Sequence, residues 1–164
     1  MAVRIEVGYR GSVRDPKGER VVSEALALTG IRLDSVATVS VYTLDVDLSR
    51  EDLEKVAAGP FTDPVIQQYA VGAPAPGEFD TIIEVGFRPG VTDNAGRSAG
   101  EALSQLLGRP LGPGEGVYTS TQYRILGDLS REEAHRLASQ VLANELIHSW
   151  RVARAGELDP SVGL

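Results

Sequence analysis

A serine and two histidines are the first side chains in this sequence that could do chemistry. Residues 96–100 read Gly-Arg-Ser-Ala-Gly, which matches the pattern around a nucleophilic serine, and His135 and His148 follow downstream. Such a serine must lie at a sharp turn directly after a strand, whereas Ser98 falls inside a predicted helix. The pattern therefore favours an ordinary small helix residue over a hydrolase triad.

The two histidines also lack the spacing of a metal site. They form no His-Glu-x-x-His motif, and the chain contains no Cys that could bind a metal as thiolate. The glycine-rich segment 108–116 lacks the Gly-Lys-Ser/Thr ending of a phosphate-binding loop, so we interpret it as a turn-rich connector. The sequence thus predicts surface positions for both histidines and indicates no catalytic residue, no cofactor site and no metal site in this chain.

One strand-to-helix corner, residues 88–97, remains as a candidate site. The N-terminus of the predicted helix, with Arg88 and Arg97 beside it, could hold an anion or contact a partner protein. Gly96 lies in the first turn of that helix, where glycine costs about 1 kcal/mol relative to alanine. Either a ligand or partner approaches the backbone there, or the helix packs closely on the sheet; the sequence favours close packing.

Composition limits the class of protein. A chain of 164 residues with 42% hydrophobic residues can bury a core as one domain or as two small ones. A net charge of −7 argues against nucleic-acid binding, which needs concentrated Lys and Arg. No apolar run approaches the roughly 18 residues of a membrane span, and the absence of Cys fits a reducing compartment. We expect a soluble, cytoplasmic protein whose partners are proteins or small molecules.

The sequence repeats itself. Residues 5–19 and 83–97 share Ile, Glu, Val, Gly, Arg, Val, Asp and Gly in one register, 78 residues apart. The run Asp-Leu-Ser-Arg-Glu at 47–51 returns 81 residues later at 128–132. Two copies suit a pseudo-dimer, in which one chain encodes both halves of a two-fold pair. The predicted boundaries are 1–71 for the first repeat, 72–77 for a Pro/Gly linker, 78–153 for the second repeat and 154–164 for a C-terminal tail.

Within each repeat, hydrophobic periodicity predicts the order β-α-β-α-β. Apolar residues alternate with polar ones over residues 3–10, which indicates a strand whose wet face carries Glu6. Asp15 is placed to cap the next helix and Gly30 to end it, and Leu28 is predicted on its buried face, as is Leu106 in the second repeat. We therefore predict an α+β fold with helices on one face of a mostly antiparallel sheet.

These segments resemble a known family, PurS, the small subunit of phosphoribosylformylglycinamidine synthase. The likeness lies in the strand, Arg-Pro-Gly-Val, Asp and Gly-Arg of residues 83–97, and in the ends of the two repeats, residues 59–71 and 141–152. It covers nearly the whole chain. The sequence departs from the family pattern at residues 11–12, where Gly-Ser replaces Pro-Gly, and at residues 144–145, where Asn-Glu replaces the Asp-Pro of the first repeat.

The resemblance implies a function. PurS proteins pair as dimers and bridge a PurL-type ATP-dependent synthetase to a PurQ-type glutaminase. The single-chain form of that enzyme carries a PurS-dimer-like domain at its N-terminus, to which this tandem chain is similar. The family contributes no catalytic group, so ATP and Mg are expected on the synthetase, and internal pairing implies a monomer. The tail is either a free C-terminus or the start of a linker into a larger enzyme.

Two other classes stay open at this point. A small-molecule sensing module of ACT type also pairs α+β units and would use a glycine-rich strand-to-helix corner, although no polar constellation for its ligand is evident. A stand-alone enzyme is the weaker alternative, since no catalytic constellation is evident either.

Overall fold

The computed structural model describes residues 2–157 and shows two successive β-α-β-α-β units. No helix in this range is long and apolar enough to cross a membrane. Residues 158–164 of the predicted tail lie outside the described residues. The elements are β1 (Val3–Tyr9), α1 (Pro16–Thr29), β2 (Ser35–Asp45), α2 (Arg50–Ala58), β3 (Gln67–Val71), β4 (Thr81–Phe87), α3 (Asn94–Leu107), β5 (Gly116–Leu126), α4 (Arg131–Leu137), a π turn (Ala138–Leu142), β6 (His148–Arg154) and a 3-10 turn (Ala155–Glu157).

All six strands join one antiparallel sheet in the order β3-β1-β2-β5-β4-β6. The first unit supplies β1 to β3 and is called the first half; the second unit supplies β4 to β6 and is called the second half. The halves meet where β2 pairs with β5 along the full 11 residues of each strand. The α+β prediction with an antiparallel sheet is confirmed.

The register of the central pair places a pseudo-two-fold axis. Ser40 lies opposite Thr121, which is its own counterpart 81 residues later in the sequence repeat. Because β2 and β5 are antiparallel, a two-fold rotation about this pair brings each strand onto the other. Corresponding elements of the two halves therefore lie at opposite ends and opposite edges of one sheet.

Each helix-side core combines helices from both halves. In one core α1 and α4 cover β2, β4 and β5; in the other α2 and α3 cover β1, β2 and β5. Leu137 and Leu103 are fully buried in these two cores, and burying a leucine contributes about 1.5–3 kcal/mol. Within residues 2–157, neither half encloses a helix-side core of its own. The first core includes Val21, Ala25, Ile83, Ile125 and Leu137, and the second includes Ile5, Leu44, Val56, Leu103 and Val117.

Local signals in the sequence set the helix ends. Asp15 caps α1, and Gly30 ends it in the left-handed conformation at a φ of 72°. Ser130 and Glu133 form a complete capping box at the start of α4. At α2, Ser49 accepts a bond from the backbone N–H of Asp52, and only this half of the box forms. These local interactions place the helices close to the predicted positions.

Two predicted core positions are wrong. Leu28 is 63% exposed and its counterpart Leu106 is 36% exposed. Both lie in the last turn of a helix that ends at a left-handed glycine. In the first half, Ile31 and Leu33 beyond that turn enter the core instead. Helical periodicity identified the correct face, but tertiary packing decides which side chains of the last turn meet the core: Leu107 packs against the second core, whereas its neighbour Leu106 is exposed.

Candidate functional site

The strand-to-helix corner of each half is tied to the central strands by one aspartate. Asp15 accepts a hydrogen bond from Gly18 N at 2.9 Å and two more from Thr38, through its backbone N at 2.7 Å and its Oγ1 at 2.9 Å. Asp93 repeats the arrangement with Gly96 N at 2.8 Å and with Thr119 N and Oγ1 at 2.6 and 2.8 Å. Each carboxylate therefore caps a helix and fastens it to the sheet.

The corner glycines are required by close packing. A Cβ on Gly96 would lie 2.5 Å from the carbonyl oxygen of Val117, and one on Gly18 would lie 1.9 Å from that of Val36. Both oxygens belong to the backbone of a central strand, which cannot move aside without breaking the β2–β5 pairing. The helix–sheet contact predicted at Gly96 thus accounts for the glycine without a ligand.

The two arginines of the predicted corner site have different surroundings. The Nε of Arg88 donates to the carbonyl of Glu145 at 2.8 Å, in the loop before β6. Arg97 is exposed on α3, and the described residues offer its guanidinium no hydrogen bond. Arg88 thus joins two loops of the second half, while Arg97 borders a shallow depression next to Gly96 and Leu111. An anion or partner contact at this corner stays a prediction.

Each histidine accepts a hydrogen bond, and at the equivalent position of the first half a residue of another type accepts the corresponding bond. His148 Nδ1 accepts from Asn144 N at 3.0 Å, where Gln67 Oε1 accepts from Asp63 N at 2.9 Å. His135 Nδ1 accepts from the indole of Trp150 at 3.1 Å. In the first half, Glu54 accepts in the same way from the hydroxyl of Tyr69, at 3.0 Å.

These pairs give both histidines structural roles. Ser98 is part of α3, its side chain is exposed, and it forms no hydrogen bond with either histidine. Across residues 2–157 no three His, Cys, Asp or Glu side chains are grouped to hold a metal ion.

Two acidic depressions lie at equivalent ends of the sheet. Asp34 and Asp128 border one of about 500 Å³, and Asp47 and Glu115 border the other, of about 410 Å³. A hydrogen bond from Arg109, helped by the backbone N–H of Gly112, lowers the pKa of Glu115 to about 2. The Glu115 carboxylate therefore stabilises the loop in which it lies.

The β3–β4 connection covers part of the sheet face opposite the helices, which corrects the wet face predicted for β1. Glu6 is only 1% exposed because the β3–β4 connection, residues 72–80, crosses this face. Ala75 of the connection packs against Val39 and Val41, and its N–H donates to Glu6 Oε1 at 3.0 Å. Strand alternation correctly placed Glu6 away from the helices, but what covers it depends on the path of the connection.

Arg124 is the centre of the buried polar network on this face. Its guanidinium donates to Glu6 Oε1 at 2.9 Å, to the carbonyl of Ala75 at 2.6 Å and to Gln122 Oε1 at 3.2 Å. The side chain is 2% exposed and its planar group lies 5.4 Å from the ring of Phe79. One residue thus connects β1 of the first half, β5 of the second half and the chain that joins them.

Glu84, the repeat counterpart of Glu6, completes the network. Arg4 Nη2 donates to Glu84 Oε1 at 2.6 Å, and Gln122 Nε2 donates to the same oxygen at 3.0 Å. Burial alone would raise the pKa of Glu84, but the hydrogen bonds and charge of Arg4 outweigh it and lower that pKa. Burial lowers the pKa of Arg124 against the opposing attraction of Glu6. Each carboxylate of the network is therefore paired with an arginine: Glu84 with Arg4, and Glu6 with Arg124.

We predict that Glu84 makes the fold less stable in acid. Because its pKa is lower in the folded state, its contribution is full above the ordinary value of 4.5 and disappears as the pH falls through the folded-state pKa. Urea unfolding from pH 7 to pH 3 should show a smaller loss of stability for Glu84→Gln than for the wild type. Equal slopes for the two proteins below pH 4.5 would contradict the assignment.

Sequence reasoning missed the residues that bond to the capping aspartates and those that bond to Glu6 and Glu84, and a sequence signal exists only for the first set. Thr38 and Thr119 are 81 residues apart, so the repeat itself marks them as equivalent. At the positions 81 residues before Arg124 and Gln122, the first half has Thr43 and Val41, which carry neither a charge nor an amide group. A buried arginine present in one half only is invisible to an argument from repetition.

Comparison with known families bears on the first half. The family model for PurS, described as phosphoribosylformylglycinamidine (FGAM) synthase, matches residues 2–74. Residues 2–74 are thus similar in sequence to the PurS family. The match supports a role related to FGAM synthase in purine biosynthesis. No curated protein matches the chain significantly.

Proposed function

We propose that this chain is a non-catalytic bridging subunit, or domain, of FGAM synthase. It would hold a PurL-type synthetase and a PurQ-type glutaminase together while formylglycinamide ribonucleotide is converted to formylglycinamidine ribonucleotide, with ATP and Mg bound by the synthetase. The observation that carries the proposal is the PurS match over residues 2–74.

The second half supports the tandem form of this proposal. It has the element order of the first half and extends the same sheet across β2 and β5. Since each core combines helices from both halves, one chain supplies what two paired PurS chains would supply. The edges that a second PurS chain would use are occupied internally, so we propose that the chain acts as a monomer.

A bridging subunit contributes geometry instead of reacting groups. Its value lies in holding two active sites so that ammonia released at one reaches the other without escaping into water. Of the side chains that the sequence singled out as candidates for chemistry, Ser98 is exposed on α3, and His135 and His148 accept hydrogen bonds from Trp150 and Asn144.

Reconstitution tests the proposal. The chain is mixed with its purified synthetase and glutaminase, and product is measured with glutamine or with high ammonium as nitrogen donor. Omitting the chain should lower the glutamine-dependent rate about tenfold or more and affect the ammonium-dependent rate much less, because ammonium bypasses the glutaminase. The chain alone should neither hydrolyse glutamine nor consume ATP.

Two controls accompany this measurement. Sedimentation of the chain alone should give its 17.5 kDa monomer mass, whereas an obligate homodimer would contradict internal pairing. Equal glutamine-dependent rates with and without the chain would refute the bridging role. A thermal shift with free amino acids in that case would favour the ACT-like sensor.

A further inference from the structure

One turn in each half exposes a large aliphatic side chain. We call the segment 63–66 of the first half and the segment 144–147 of the second half the two tips. Val65 at the first tip is 78% exposed and Leu146 at the second is 84% exposed, the highest values among the large apolar side chains of the described residues. Scattered exposed aliphatic residues are common on protein surfaces, so exposure alone indicates nothing. What distinguishes Val65 and Leu146 is that hydrogen bonds fix the backbone turns that carry them.

Equivalent hydrogen bonds fix both tips. The N–H of Val65 donates to Asp63 Oδ1, and that of Leu146 donates to Asn144 Oδ1, each at 3.0 Å. The same two polar residues donate their own N–H groups to the first side chain of the following strand, Gln67 or His148. Although Asp-Pro in one half becomes Asn-Glu in the other, the turn is conserved between the halves. Each exposed side chain is therefore carried by a backbone turn that is held in one conformation.

An arginine stands beside each tip. Arg10 donates from Nε and Nη2 to the carbonyl of Pro64 at 3.2 and 3.0 Å, and Arg88 donates from Nε to the carbonyl of Glu145 at 2.8 Å. Those carbonyls belong to the residue directly before Val65 or Leu146. Both arginines are exposed, and neither forms an ion pair with the described residues. Each tip thus presents an aliphatic side chain next to a fixed positive charge.

We propose that the two tips are the points at which this chain docks onto partner proteins, each inserting its aliphatic side chain into an apolar pocket with a carboxylate at its rim. The guanidinium beside the tip would pair with that carboxylate, which sets orientation and speeds association. A preorganised backbone turn loses little conformational entropy on binding, which suits an interface hot spot. This inference rests on the proposed function.

The placement of the tips suits two simultaneous contacts. They precede β3 and β6, the two edge strands of the six-stranded sheet. Five strand spacings separate these edges, roughly 24 Å, and the pseudo-two-fold axis places the tips towards opposite ends of the sheet. Two partners can therefore bind at once, one at each tip, without sharing a surface.

Binding of tip variants to the purified synthetase and glutaminase tests the inference. Val65→Ser and Leu146→Ser should each weaken binding of one partner about tenfold or more, and the double variant should weaken both. Arg88→Gln should weaken binding at the second tip and reduce its dependence on salt. Leu28→Ser is the matched control, since it removes a leucine that is 63% exposed at the end of α1, away from both tips. It should bind within about twofold of the wild type.

The outcomes separate this inference from the function on which it rests. Thermal unfolding of the tip variants should match the wild type, because the replaced side chains are exposed. If the wild type binds its partners and the double variant binds within about twofold as well, the tips are not the docking points and the bridging role stands. If the wild type binds neither partner, the bridging role and the tip contacts are both overturned.

Discussion

Replacing Arg124 with alanine should lower the free energy of unfolding by about 3–5 kcal/mol. The guanidinium satisfies Glu6, the carbonyl of Ala75 and Gln122, and it is 2% exposed. Its loss leaves the carboxylate of Glu6, which is 1% exposed, with only Arg4 and one backbone N–H as donors. An under-compensated buried charge is among the most costly defects in a protein interior.

The measurement is equilibrium urea unfolding of the wild type, Arg124→Ala and Arg151→Ala. Arg151 also lies near the network, 4.0 Å from Glu84, but its side chain is 67% exposed. Its replacement should cost less than about 1 kcal/mol, as expected for a solvent-screened pair. Similar losses for both variants would show that the β3–β4 connection does not seal the network as described.

Gly96→Ala should destabilise the protein by about 1–3 kcal/mol, the usual cost of overpacking. Its new methyl group would lie 2.5 Å from the carbonyl oxygen of Val117, so α3 would have to move away from β5. That movement would also stretch the bonds from Thr119 to Asp93. Gly18→Ala should cost at least as much, because the corresponding distance to Val36 is 1.9 Å.

The same helix provides the control. A Cβ on Gly100 would meet the side chains of Leu111 at 3.5 Å and Val117 at 4.0 Å, which are ordinary van der Waals contacts. Gly100→Ala should therefore stabilise the protein by about 0.5–1 kcal/mol through helix propensity alone. Thermal and urea unfolding of the three variants settle the point: a Gly96→Ala protein more stable than the wild type would mean that helix–sheet contact does not explain this glycine.

Much of the fold could be predicted from the sequence because the signals are local. A capping aspartate, a proline in the first turn and a glycine at the left-handed end set the bounds of α1, and residues 3–9 alternate as a strand must. The repeat then predicted that the second half would follow the same order, and it does. The reason for Gly96 was also accessible, since a glycine in the first helical turn indicates close approach.

The contacts at the candidate surfaces were harder to predict from the sequence. Arg88 was identified as a contact residue beside Gly96 and Arg97, but its bond to the carbonyl of Glu145 joins segments 57 residues apart. Arg10 went unnoticed because its link to Pro64 spans a similar distance in the first half. No periodicity or spacing rule connects such pairs, because the contact forms only when β3 or β6 returns to the edge of the sheet.

By itself the sequence determined the elements, their caps, the strand faces and the equivalence of the two halves, because each follows from interactions between near neighbours or from repetition. Only the tertiary structure decided that α1 packs with α4 and α2 with α3, that Glu6 is sealed beneath the β3–β4 connection, and that Leu28 remains exposed. Alternation states which side of a strand a residue occupies. What covers that side depends on the β2–β5 pairing, which brings the two halves into one sheet.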